Sequence, residues 1–193
     1  MELTTDIIKQ LRERTGVSVM QCKKALQEAG GDLAKAEVIL KKHSASSALK
    51  KADRELGAGI IGYYVHDGSI GAMVLLSCET DFVAKNPEFE TLARSLSMQV
   101  AATNPTYLST EDIPADAKEA ATAVFKKELE GKPENMHSMI MEGKLKSYFS
   151  DQVLLEQHFI KDETKTVQQL VNEATQKFGE RVAITRFVRF STR

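Results

Sequence analysis

The chain has 193 residues, 42% of them hydrophobic, with 26 basic side chains against 27 acidic ones and a formal charge of -1. That length suits one sizeable domain with a small appended module, and the apolar fraction is enough for a real core. Even charge argues against nucleic acid as a direct partner, because neutralising phosphates takes a surplus of basic residues. No apolar stretch approaches the roughly 18 residues that span a bilayer, so no membrane partner is expected. Met1-Glu2-Leu3-Thr4-Thr5-Asp6 lacks the basic and apolar regions of a secretory signal, and Cys22 and Cys78 are too few for a disulfide framework. The expectation is a soluble protein of a reducing compartment.

Residues 1–43 read as three short helices. Thr5 or Asp6 is placed to cap the first, whose Ile7, Ile8 and Leu11 share a face before Gly16 ends it. Ser18-Val19-Met20-Gln21 has capping-box spacing, and Val19, Cys22, Leu26 and Ala29 follow until Gly30-Gly31. Asp32 caps the third, with Leu33, Ala36 and Leu40 as its apolar positions. A bundle this small is marginal alone, which fits a module that presents a surface. Residues 44–56, rich in Ala, Ser and Lys, read as a linker or connecting helix, and 57–193 as the main domain.

Ile60 to Val65 and Ile70 to Leu76 are strand-like runs around His66-Asp67-Gly68-Ser69, where Asp-Gly suits a tight hairpin turn. Asn86-Pro87-Glu88 opens a helix with Phe89, Leu92, Ala93, Leu96 and Val100 as its buried stripe, closed by Asn104-Pro105. Helices are expected over Pro114 to Glu130 and Pro133 to Phe149, divided at Gly131-Lys132. Thr166-Val167-Gln168-Gln169 leads another helix to Phe178-Gly179, and Arg181 to Phe190 alternates as a strand. One hairpin, one distant strand and covering helices make an α+β architecture with a small antiparallel sheet.

Catalytic and cofactor signals are sparse. Gly57-Ala58-Gly59-Ile60-Ile61-Gly62 matches the dinucleotide fingerprint, but that chemistry needs the glycines after a strand and at a helix start. Here a helix-like segment precedes and a strand follows, so a flexible lead into the hairpin and a close backbone approach at Gly62 explain them better. His43, His66, His137 and His158 are scattered, and no C-x-x-C pair exists, so no metal site is expected. Cys22 and Cys78 read as small buried hydrophobes. No nucleophile elbow appears. Lys23-Lys24, Lys41-Lys42 and Lys50-Lys51 read as solvated faces. No catalytic residue and no cofactor are expected, and the chain reads as a non-enzyme.

The connection Cys78-Glu79-Thr80-Asp81-Phe82-Val83-Ala84-Lys85-Asn86-Pro87 stands out between strand and helix. On one reading Thr80 or Asp81 caps a helical turn while Phe82 and Val83 pin it to the core. On the other, an exposed Phe beside a carboxylate enters a partner, as interface hot spots do.

Leu11-Arg12-Glu13-Arg14-Thr15-Gly16 followed by Cys22-Lys23-Lys24-Ala25-Leu26 resembles the amino-terminal signature of the bacterial-type translation elongation factor Ts family. The segment Cys78 to Asn86 resembles its second signature almost residue for residue. Glu142 to Lys146, Leu155-Glu156-Gln157 and Arg186 to Phe190 are similar to later family stretches, so the resemblance covers nearly the whole chain. It implies a three-helix, ubiquitin-associated-like amino-terminal domain, an α+β core, and guanine nucleotide exchange on elongation factor Tu. Thr80, Asp81, Phe82 and Val83 match the family segment that displaces magnesium from the GTPase. Arg12, Met20 and Lys23 match amino-terminal positions at the contact with the same partner domain. Val17-Ser18-Val19-Met20-Gln21 departs from the family pattern, and only one copy of the hairpin-plus-helix core is present. The resemblance is to the short form, some members of which dimerise, so a homodimer is possible. The location it implies is the bacterial cytoplasm, or a mitochondrial or plastid interior if a targeting segment has been removed. The alternative is a non-enzymatic adaptor that binds a partner through the three-helix module alone.

Overall fold

The computed structural model describes residues 4–126 and 136–192. Three helices open the chain: α1 (Thr5–Thr15), α2 (Val19–Glu28) and α3 (Leu33–Lys50). Their contact faces form a closed core of Leu11, Val17, Cys22, Ala25, Leu26, Ala36 and Leu40. Asp32 caps α3 as expected, its carboxylate accepting from the Lys35 N–H at 3.0 Å. The cap of α1 is Thr4 rather than Thr5 or Asp6, and its side chain makes no capping bond. Half of the box at Ser18 forms: its hydroxyl accepts from the Gln21 N–H at 3.4 Å. The Gln21 side chain accepts instead from the Gln176 Nε2 at 2.9 Å. Helix α3 continues through residues 44–50, which is the connecting-helix alternative for the first part of 44–56. No Gly or Pro interrupts it, and buried Ser44 bonds back to the Lys41 carbonyl at 2.7 Å.

Strands β1 (Ala58–His66) and β2 (Ile70–Cys78) form the expected hairpin. Asp67 and Gly68 both take positive φ, 46° and 65°, and the Ser69 N–H closes the turn on the His66 carbonyl at 3.0 Å. Gly62 lies inside β1 with no helix after it, which removes the dinucleotide geometry. A Cβ there would stand 2.3 Å from both the carbonyl carbon and oxygen of Ala93. Backbone has nowhere to yield at that distance, so Gly62→Ala is expected to destabilise by upward of about 3 kcal/mol, the top of the usual overpacking range. Thermal melting checks it.

After β2 come a single helical turn, α4 (Asp81–Ala84), and α5 (Pro87–Thr103). Asn86 caps α5, its side-chain oxygen accepting from the Glu88 N–H at 2.9 Å. A 3-10 turn at Thr110–Asp112 carries its own Ser109/Asp112 capping box. Helices α6 (Ala115–Lys126) and α7 (His137–Ser150) follow; the expected break at Gly131-Lys132, the Glu130 end and the Pro133 start lie outside the described residues. Ile113, Ala121, Phe149 and Val153 close a second small core. A two-stranded antiparallel pair, β3 (His158–Phe159) and β4 (Asp162–Thr166), was not expected, because two residues and a polar run carry no strand pattern. Fully buried Gln99 fastens it, donating to the His158 carbonyl at 3.1 Å and accepting from the Ile160 N–H at 2.8 Å.

Helix α8 (Val167–Phe178) leads to β5 (Ala183–Ser191), which joins the hairpin in the order β1-β2-β5. The fold is α+β with a small antiparallel sheet. Contacts divide the chain into two compact units, one of Met1–Gly62, Leu75–Ala93 and Gln168–Thr185, the other of Tyr63–Val74, Arg94–Val167 and Arg186–Arg193. The first holds the three helices and the turn at residues 81–84.

Candidate partner-binding site

The turn α4 divides its side chains between core and solvent. Val83 is 3% exposed, whereas Phe82 beside it is 86% exposed. Asp81 is also exposed and pairs with Lys85, one turn on, at 3.7 Å. Val83 thus pins the turn as the first reading expects, whereas Phe82 is not a core anchor and stands exposed beside a carboxylate. A Phe this exposed gains little for the fold, since its ring buries little area.

What holds the turn lies upstream and across the first unit. Thr80 is its N-cap residue, yet the hydroxyl makes no capping bond. Instead the Thr80 N–H donates to Glu180 Oε2 at 3.0 Å and the hydroxyl to Glu180 Oε1 at 2.6 Å. Glu79 accepts from the Arg181 N–H and, at 3.2 and 3.3 Å, from the Arg54 guanidinium. The Arg181 guanidinium donates in turn to the Arg54 carbonyl. Buried Cys78 donates its thiol to the Thr80 carbonyl at 3.3 Å. Glu180, Arg181 and Arg54 carry no motif, and a sequence gives no sign of pairs separated by 25 to 127 positions.

The charges follow this network. The Arg181 N–H, then the Arg54 guanidinium, hold the Glu79 carboxyl below its ordinary value of 4.5. A depressed carboxylate contributes stability that is present above the unfolded pKa and lost as pH falls through the folded one. Wild-type stability is thus expected to fall as pH drops below 4.5, and Glu79→Gln to flatten that fall; melts across pH check it. Burial, then the Glu180 charge, push the Cys78 thiol up, and burial pushes Cys22 up, so neither is an activated nucleophile. Both cysteines are free, and the four histidines stand on separate elements, α3, β1, α7 and β3.

The amino-terminal candidates are all exposed. Arg12 lies on α1, while Met20 and Lys23 lie one turn apart on α2, and Met20 is 77% exposed. Val19 beside it is 47% exposed, so α2 presents two uncovered apolar side chains.

The family Elongation factor TS matches residues 47–193 by its sequence model. Elongation factor Ts of Thermodesulfovibrio yellowstonii is 46% identical over 191 residues, 98% of this chain and 96% of that protein. Those of Thermotoga petrophila and Thermotoga maritima are 48% and 47% identical over the same shares. The chain belongs to the elongation factor Ts family. It is accordingly a translation elongation factor, a component of protein biosynthesis. Among the described residues, no helix is long and apolar enough to cross a membrane.

Proposed function

We propose that the chain is a guanine nucleotide exchange factor for elongation factor Tu, working in the cytoplasm of a bacterium. The observation that carries this reading is the 86% exposure of Phe82 on a turn locked by buried Val83. Phe82 acts as a wedge between elements of the partner's nucleotide domain, with Asp81 beside it, and Thr80 and Val83 set its backbone. The resulting displacement weakens the hold on Mg²⁺, which together with the phosphate loop retains the nucleotide. No acid, base or nucleophile is required, because exchange is a linkage: a factor that binds the nucleotide-free GTPase more tightly lowers GDP affinity by the same ratio. The three helices of the first module are a second docking surface, presenting Arg12, Met20 and Lys23.

Release of a fluorescent GDP analogue from elongation factor Tu, with and without the protein, tests the reading. Acceleration supports it. The adaptor alternative, favoured only by exposed Met20 and Val19 on α2, predicts binding with an unchanged off-rate.

We further propose that a second copy of the chain is a partner. Strand β1 is an edge of the three-stranded sheet, and its alternate residues Ile61, Tyr63 and Val65 are exposed and apolar. Edge strands invite pairing, and an isologous contact between two such edges is the simplest closed solution. Light scattering that finds a dimer in wild type and a monomer in Tyr63→Asp supports this; a wild-type monomer removes it.

A further inference from the structure

We propose that Glu180 and Glu79, together with Arg54 and Arg181, are positioning residues that set the direction of the Phe82 wedge. The proposal rests on the exchange reading above and deepens it. The turn that carries Phe82 has four residues, far below the length at which a helix holds itself, because nucleation is unfavourable and little follows it. Phe82, almost wholly in solvent, has no packing of its own to aim it. Its direction is inherited from Val83 on one side and Thr80 on the other.

Thr80 is held unusually. An N-cap threonine ordinarily turns its hydroxyl inward to the helix, but here the hydroxyl and the backbone N–H both reach the carboxylate of Glu180, 100 residues away. Both bonds are charge-assisted, the stronger class. One residue earlier, Glu79 is gripped by Arg54 and by the Arg181 N–H, and the Arg181 guanidinium closes the ring on the Arg54 carbonyl. Two adjacent carboxylate anchors therefore fix residues 79 and 80 to the loop between α8 and β5. Arg54 lies just beyond α3, so the same ring ties the wedge to the end of the amino-terminal helices. The Thr80–Glu180 and Arg54–Glu79 bonds are exposed to solvent, where such bonds add little to global stability, but a pre-set wedge avoids the cost of ordering on the partner.

The test is stopped-flow release of labelled GDP from elongation factor Tu over a range of factor concentrations, with melts of every variant. Glu180→Ala and Thr80→Val are each expected to lower the maximal release rate about tenfold, as loss of charge-assisted bonds at a docking element can, with the melt little changed. Thr80→Ser keeps the hydroxyl and is expected to restore the wild-type rate. Because Glu180 acts through Phe82, the Glu180→Ala/Phe82→Ala double variant is expected to be no slower than Phe82→Ala alone. Wild-type rates in Glu180→Ala and Thr80→Val beside a slow Phe82→Ala overturn the positioning role and leave the wedge standing. A double variant slower than Phe82→Ala by the full Glu180→Ala factor also overturns it, since Glu180 then acts independently. A Phe82→Ala protein at the wild-type rate overturns the exchange reading itself. Should Glu180→Ala fail to fold, the Thr80→Val and Thr80→Ser pair decides the matter.

Discussion

Phe82→Ala is expected to leave the melt close to wild type while slowing factor-dependent GDP release about thirtyfold or more. The stability half of this follows from exposure: truncating a ring that is 86% in solvent opens no cavity and removes little buried area. The kinetic half follows from hot-spot energetics. A central aromatic anchor contributes about 2 kcal/mol or more to an interface, and each 1.4 kcal/mol is a factor of ten. Val83→Ala is the natural contrast. Val83 is 3% exposed, and losing most of its side chain is expected to cost about 1.5–3 kcal/mol of stability. Its exchange defect is then indirect, appearing as a less firmly set turn. Asp81→Ala completes the series. Its ion pair with Lys85 lies in solvent and matters little to the fold, so any loss of exchange with an unchanged melt assigns the carboxylate to the partner contact.

This split between neighbours shows what a sequence conveys about such a site. The segment from Cys78 to Asn86 was legible as special, because an acidic residue, a Phe and a Val in a strand-to-helix connection are unusual company. Which of Phe82 and Val83 faces inward was not, since one helical turn is too short for periodicity to decide. The hairpin was legible for a local reason: Asp67-Gly68 meets the positive φ angles that the turn demands. Gly62 was legible too, as a close approach rather than a phosphate cradle, because strand pattern followed it. Long-range polar anchoring was invisible. Nothing near Thr80 announces Glu180, nothing near Gln21 announces Gln176, and nothing near Gln99 announces the β3–β4 pair that it fastens. The extension of α3 past residue 43 was obscured by composition, since Ala, Ser and Lys suit a linker as well as a helix.

Leu26→Ala is expected to melt the three-helix module at a lower temperature and weaken docking, while leaving the maximal exchange rate near wild type. Leu26 is fully buried in a core of seven closed residues. Truncation of a buried leucine costs about 2–5 kcal/mol, and a core of this size supplies about 3–5 kcal/mol in all. The module is therefore left with little or no net stability, and its melt separates from that of the remaining chain as an early transition in circular dichroism. Arg12, Met20 and Lys23 then lose their fixed spacing, which raises the factor concentration needed for half-maximal release. Phe82 keeps its own supports, Val83 and the Glu180 and Glu79 anchors, none of which belongs to the three-helix core. Met20→Ala separates presentation from folding, because an exposed side chain can be truncated without touching the melt. A Leu26→Ala protein whose maximal rate falls as far as that of Phe82→Ala would show that the helices take part in the exchange step itself. Arg54, four residues beyond the end of α3 and in the ring around Glu79, is the physical route by which they would do so.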